Sequence, residues 1–324
     1  MPNFIGEMLV RGKLRILMAG LALALMPSFA SAEAAKLEVN EVRVGILPIA
    51  VQTPIFAAQE LGYFAQEGLK VTTQFGESGA ALLPLAIQGQ LQIVNIPIST
   101  GLQARAQKLD IVMIGPGTVM EMHPTAGTIA RAGSSIHQLS DLTGKTIAVN
   151  VINSVNWLYN RALLEKAGVD LKTVKYVELP FTSMTDAVIN GSVDAAATSQ
   201  PFLYLATKTG KITVLGRDLY DVQPNVQVSG FAVARKWAQA NPHTLAAFER
   251  ALARAVDYMM ADGKDAVPLI AKFTKTDPKL IEEAGLPSWS NELSVSNVDT
   301  QMQLMIRHGL LKQPIDVNTL IWKD

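Results

Sequence analysis

The stretch "VINGSVDAAATSQP", residues 188–201, decides the fold. Ala195, Ala196 and Ala197 carry little more than a methyl group each, and Thr198-Ser199-Gln200-Pro201 ends the run abruptly. A strand covered on both faces in a parallel sheet reads as a short unbroken apolar run without alternation, and small side chains there let helices pack closely on it. The same order of helix, glycine and short strand stands 102 residues earlier, where "AIQGQLQIVNIP" (86–97) aligns with "VINGSVDAAATS" (188–199) and Gly89 falls on Gly191. The pairing predicts two copies of one supersecondary unit.

Outward from these runs the two halves share a grammar. In the first, strands are predicted at 41–49, 69–75 and 91–97, and helices at 53–64, 78–89 and 99–107, the first helix capped by Thr53 with Pro54 in its opening turn. In the second, strands are predicted at 145–151, 174–179 and 193–199. The helix at 154–168 is closed by Gly168, and the helix at 182–192 opens on a Ser183 to Asp186 capping box. "GPGTVMEMHPTAG" (115–127) reads as a crossing without helical spacing, "VQVSGFAVAR" (226–235) as a returning strand, and 242–263 as a long amphipathic helix. Strands alternating with helices make this an α/β chain of two lobes, each a mainly parallel sheet flanked by helices. The expected division is residues 33–120 plus 236–324 in lobe 1 and 121–235 in lobe 2.

The amino terminus carries a separate signal. Arg11, Lys13 and Arg15 precede an apolar run from Ile16 to Met26 that ends in Ala30-Ser31-Ala32. That pattern predicts a secretory signal peptide cleaved after Ala32, and the run is about half of what a membrane span needs. Without the residues before Glu33, 25 basic and 27 acidic side chains remain, a balance with no electrostatic footprint for nucleic acid or an anionic membrane. The chain has no cysteine, which excludes disulfides, thiol nucleophiles and a lipidated amino terminus. The mature product is expected to be a soluble monomer in the periplasm, not embedded in a membrane.

In open α/β sheets ligands sit beyond the carboxyl ends of the strands. The loops at those ends are rich in hydroxyls and amides: Gln52, Thr53, Ser78, Asn95, Ser99, Thr100, Asn153, Ser154, Asn156, Ser199 and Gln200. Plain helix capping accounts for any one of them; several converging on one cleft suit an anion at helix starts. Trp157 and Phe181 are the aromatic side chains nearest these loops. Catalytic signatures are missing: the four histidines share no metal-ligand spacing, no nucleophile elbow or zinc motif occurs, and Glu77 is the only acid in the loops. No metal, cofactor or catalytic residue is expected. No Arg or Lys lies in these loops, although Arg105 and Arg161 stand farther along the helices that follow.

"VRVGILPIAVQTPIFAAQELGYFAQEGLKV", "DLTGKTIAVN", "AGVDLKTVKYVELP" and "NGSVDAAATSQP", in that order after a signal peptide, resemble the periplasmic solute-binding proteins of ABC importers in the aliphatic-sulfonate, taurine, nitrate and thiamin-pyrimidine group. The resemblance covers about residues 40–240. It implies a Venus-flytrap fold, a ligand enclosed between lobes, and delivery to an inner-membrane permease. It places ligand loops on Gln52 and Thr53, Ser78 and Gly79, Pro97 to Thr100, Asn153 to Asn156, and Ser199 to Pro201. Where the group has Gly-x-x-Asp before the third strand, this chain has Gly89-Gln90-Leu91-Gln92, while Gly191-Ser192-Val193-Asp194 keeps the pattern. The expected ligand is a small organic anion of sulfonate, nitrate or aromatic-acid type. The alternatives are a neutral pyrimidine-like nutrient, or a sensor that presents its ligand to a membrane receptor. An enzyme is not expected: relatives in the group include a pyrimidine synthase and a cysteine-dependent desulfinase, and the second is excluded here.

Overall fold

The computed structural model describes residues 36–76, 78–120, 126–261 and 263–323. The expected signal segment, its cleavage point at Ala32 and the acid at Glu77 lie outside the described residues. Eleven strands are present among these residues: β1 (Glu41–Ile46), β2 (Lys70–Phe75), β3 (Ile93–Pro97), β4 (Ile111–Met120), β5 (Ala126–Arg131), β6 (Thr146–Val149), β7 (Lys175–Glu178), β8 (Ala195–Ser199), β9 (Ile212–Gly216), β10 (Val226–Ala234) and β11 (Ser288–Ser290). They form two sheets, in the orders β11-β4-β10-β3-β1-β2 and β7-β6-β8-β5-β9.

Each sheet has a parallel triplet, β2-β1-β3 in one and β7-β6-β8 in the other, and beyond the third strand its pairing turns antiparallel. β3 and β8 occupy equivalent places, and their spans differ by the same 102 residues that align Gly89 with Gly191. Both glycines are left-handed, with φ of 75° and 78°, a conformation that costs a residue with a Cβ roughly 1–2 kcal/mol.

The alanines of β8 are wholly buried. Successive side chains of a strand point to opposite faces. Ala195 shares a buried core cluster with Leu164 and Ala197 one with Leu158, both leucines on the helix Val155–Lys166, whereas Ala196 belongs to a cluster with Met184 and Val188 of the helix Phe181–Asn190. The strand is sandwiched between two helices, which is the reason for its small side chains. The edge strands β2 and β7 are partly exposed.

Four expectations are corrected. Val226–Ala234 pairs with β3 and β4 in the first sheet, so the chain returns before residue 226 and not at 235. Residues 115–120, the first part of the expected crossing, belong to β4, which pairs along its length with β10; its Gly and Pro residues concealed the strand pattern. The helix expected at 53–64 is two, Thr53–Glu60 and Tyr63–Gln66, separated by the left-handed Gly62. The helix after β7 begins at Phe181 with Pro180 at its cap and no side-chain cap, so Ser183 and Asp186 form no capping box.

The helices Pro242–Ala261 and Gly263–Thr274 cover the first sheet. Phe248 lies stacked on Phe64 with ring centroids 5.3 Å apart and edge-on to Phe231 of β10 at 6.0 Å, a geometry in which aromatic pairs add attraction beyond their buried area. No helix among the described residues is long and apolar enough to cross a membrane.

Candidate ligand cleft

The carboxyl ends of the parallel strands carry the expected residues, but several of their polar groups are already committed. Gln52 is buried, its Oε1 accepting from the Leu47 N–H at 2.7 Å, and Thr53 Oγ1 donates to the Ala50 carbonyl at 2.8 Å. Both close the turn after β1. Gln52, not Thr53, is the N-cap of the helix that follows. This turn is pinned from the other side, because the Val51 carbonyl accepts from Trp289 Nε1 of β11 at 2.7 Å.

Ser78 is an exposed N-cap, its Oγ accepting from the Ala81 N–H at 3.1 Å. Next to it, a Cβ on Gly79 would stand 3.0 Å from Ile96 Cα and 3.1 Å from the Asn95 carbonyl oxygen. The glycine therefore lets this helix start press onto the end of β3, and brings together Ser78, Gly79 and the buried Asn95 and Ser99, with Thr100 half-buried one residue on.

In the second sheet two of the expected side chains meet. Asn156 Nδ2 donates to Ser199 Oγ at 2.9 Å, joining the helix after β6 to the end of β8. Ser154 caps that helix, accepting from the Trp157 N–H at 3.3 Å and donating to Asn150 Oδ1 at 3.1 Å, while Asn153 just before it is exposed and left-handed at φ 68°. Gln200 Oε1 accepts from the Tyr204 N–H at 3.1 Å.

Trp157, expected near the loops, packs inward. It is 8% exposed, lies edge-on to Tyr176 and carries the Arg161 guanidinium 4.7 Å from its ring centroid. Arg161 is thus held on two aromatic faces, and Arg105 is paired with Asp110 and the Leu109 carbonyl. Phe181 stacks on Phe202 with centroids 5.9 Å apart.

A cavity of about 290 Å³ opens between the two sets of strand ends. Pro48, Ile49 and Ala50 line it from the turn after β1, Gln200, Pro201 and Phe202 from the end of β8, and Ile270, Thr274, Leu280, Ile281, Ala284 and Pro287 from the segment beyond the long helix. Among the described residues no Asp, Glu, Lys or Arg lines it. A larger depression of about 480 Å³ lies at the end of the helix Ile98–Ala106, lined by Gln103, Arg105 and Leu310. It is on the amino-end side of the strands, so the smaller cavity has the better claim to a ligand.

The segment 270–287 is what sequence reasoning missed. It meets Gln200 and Phe202 only through the tertiary fold, and no local motif marks it. The short helix Pro278–Ala284 touches the second sheet's side at three points: Glu283 takes a hydrogen bond from the Tyr204 hydroxyl, pairs with Lys208 at 3.4 Å, and the Ala284 carbonyl accepts from Gln200 Nε2 at 3.5 Å. Among the described residues no group of three or more His, Asp or Glu side chains is placed to hold a metal ion.

Behind this wall lies a buried polar chain. The Tyr176 hydroxyl donates to Asn160 Oδ1 at 2.7 Å, Asn160 Nδ2 donates to Thr128 Oγ1 at 2.7 Å, and Thr128 Oγ1 donates to Asp218 Oδ1 at 2.5 Å. Asp218 Oδ2 has no partner. Full burial, with Asp221 nearby, holds this carboxyl up to about 7 against the pull of its hydrogen bonds.

Two α/β sheets of matching strand order, with their parallel strands ending at a shared cavity, define the two-lobe periplasmic binding protein fold. The solved periplasmic aliphatic sulphonate binding protein SsuA from Escherichia coli superposes with a TM-score of 0.74 at 17% identity, over 88% of this chain and 92% of that one. Residues 50–266 match the family described as NMT1/THI5 like, and the chain belongs to it. A putative aliphatic sulfonates-binding protein of Bacillus subtilis (strain 168) is 27% identical over 254 residues, 76% of this chain and 73% of its own length. A formylaminopyrimidine-binding protein of Halalkalibacterium halodurans is 24% identical over 258 residues, 79% of this chain and 76% of its own length.

Proposed function

We propose that this protein is the substrate-binding component of an ABC importer, working in the periplasm after removal of residues 1–32, and that it captures a small organic anion between two lobes for an inner-membrane permease. The observation that carries the reading is the cavity between the turn after β1 and the end of β8. It lies where the parallel strands of both sheets terminate, and membership of the NMT1/THI5-like family supports it. Lobe 1 comprises residues 33–120 with the carboxyl-terminal segment and β10; lobe 2 comprises the residues between, through β9. The site draws on Ser78, Asn95, Ser99 and Thr100 from the first lobe, and on Asn153, Asn156, Ser199 and Gln200 from the second. Their roles are binding, with no catalytic step.

The test is a thermal-shift panel on the mature chain from Glu33, refolded to strip carried-over ligand, with sulfonates, nitrate, carboxylates and pyrimidines. A ligand at a thousand times its dissociation constant adds about 4 kcal/mol. Small-angle scattering with the hit must show closure, and the absence of any hit would sink the reading. A neutral ring is the second reading. It is favoured by a cavity that no charged side chain lines among the described residues, and by the likeness to a formylaminopyrimidine-binding protein.

A further inference from the structure

The reading above leaves the ligand's body unspecified, and the apolar side chains around the cleft bear on it. Among the large apolar side chains that remain exposed, Ile49, Phe75, Val151 and Ile152 all stand at or just past the carboxyl ends of β1, β2 and β6. Phe75 is 57% exposed. An apolar surface held open to water at one end of a fold marks a place that something apolar covers. Of these, Ile49 lines the cavity, whose wall has the same character: Pro48, Ile49 and Ala50 stand on one side, Pro201 and Phe202 on another, and Ile281 in the carboxyl-terminal segment. Phe202 is backed by Phe181 in a near-parallel stack at 15°, which keeps its ring in place.

Such a wall penalises a small, fully charged solute. Moving an ion from water into it strips hydration and supplies no opposite charge in return, since among the described residues no Lys or Arg lines the cavity. A volume of about 290 Å³ is at the lower end for small-molecule sites; it would leave a four-atom ion mostly uncontacted and suits one substituted ring. Polar atoms are close at hand and uncharged: Gln200 lines the cavity, and Ser199, the residue before it, is bound to Asn156.

Resting on the importer reading, we propose that the ligand is an organic anion with an aromatic or branched apolar body, the body filling the cavity between the 48–50 and 200–202 turns and the anionic group meeting uncharged donors at the end of β8. Specificity follows from burial of the body, so affinity grows about fourfold for each added methylene that the cavity encloses. Inorganic nitrate and methanesulfonate are poor ligands by the same argument.

The experiment is calorimetry on the refolded mature chain with nitrate, methanesulfonate, taurine, benzoate, benzenesulfonate and neutral benzamide. Benzenesulfonate and benzoate are expected to bind about 10- to 100-fold more tightly than methanesulfonate or nitrate. Phe202→Ala and, at an exposed position that folding tolerates, Ile49→Ser are each expected to narrow that gap several-fold. Nitrate or methanesulfonate binding as tightly as benzenesulfonate overturns the proposal, and so does a gap that both substitutions leave intact. Benzamide binding as well as benzenesulfonate keeps the apolar body and instead removes the anion from the importer reading. Silence from every probe removes both.

Discussion

Replacing Asp218 with Asn should add stability progressively as the pH rises from about 4 to 7, and leave it unchanged below the ordinary carboxylate value of 3.8. Asp218 is fully buried, Thr128 donates to its Oδ1, and Oδ2 has no partner. Burial lifts the carboxyl from an ordinary value of 3.8 to about 7. Below the unfolded value both states are protonated and the group costs nothing. Between about 4 and 7 the unfolded chain releases a proton that the folded chain retains, so stability falls as pH rises. Three pKa units correspond to a loss of about 4 kcal/mol across that window. Asn reproduces the protonated carboxyl: its Oδ1 accepts from Thr128, and its amide occupies the place of the unpartnered oxygen. Urea unfolding of both proteins from pH 4.5 to 8 should show the variant gaining steadily on the wild type, up to a few kcal/mol at pH 8. Taking the difference at each pH cancels groups such as Glu38, where burial opposes the shift but the N–H groups of Thr244 and His243 bring the carboxyl down to about 2. Parallel stability curves, or a variant that is the weaker at pH 8, would refute the argument.

Asn156→Ala removes the donor to Ser199 at the end of β8 and should weaken ligand binding about 5- to 30-fold, as loss of 1–2 kcal/mol implies, with little change in melting temperature; unchanged calorimetric affinity would move the site elsewhere. Ala196→Leu forces a larger side chain between Met184 and Val188, and denaturant titration should show about 1–3 kcal/mol of destabilisation. Gly191→Ala meets open space but keeps φ at 78°, which should cost about 1 kcal/mol by the same titration. Glu283→Ala cuts both Tyr204 and Lys208 from the short helix Pro278–Ala284; ligand dissociation followed by stopped flow should quicken while the melting temperature stays put.

β8 was legible because a strand covered on both faces has no alternation to hide, and Ala195 to Ala197 could belong to little else. β3 followed from it by the repeat. β4 was not legible: Gly115, Pro116 and Gly117 interrupt its pattern, and only pairing with β10 makes it a strand. Among the candidate residues, type and loop were readable, whereas use was not. Gln52 and Thr53 have the side chains of a binding loop, yet both are spent on holding their own turn. Trp157 is adjacent to a loop and still buried, because the helix that Ser154 caps turns it toward Tyr176.

By itself the sequence determined the α/β class, the duplicated unit and where its parallel strands end, because burial on two faces and tight turns leave local marks in composition and spacing. Only the tertiary structure decided which polar groups stay free, that residues 270–287 line the cavity, and that β10 belongs to the first sheet. Those outcomes depend on contacts between residues far apart in the chain, such as Gln200 and Ala284, and a hydrogen bond leaves no periodicity behind.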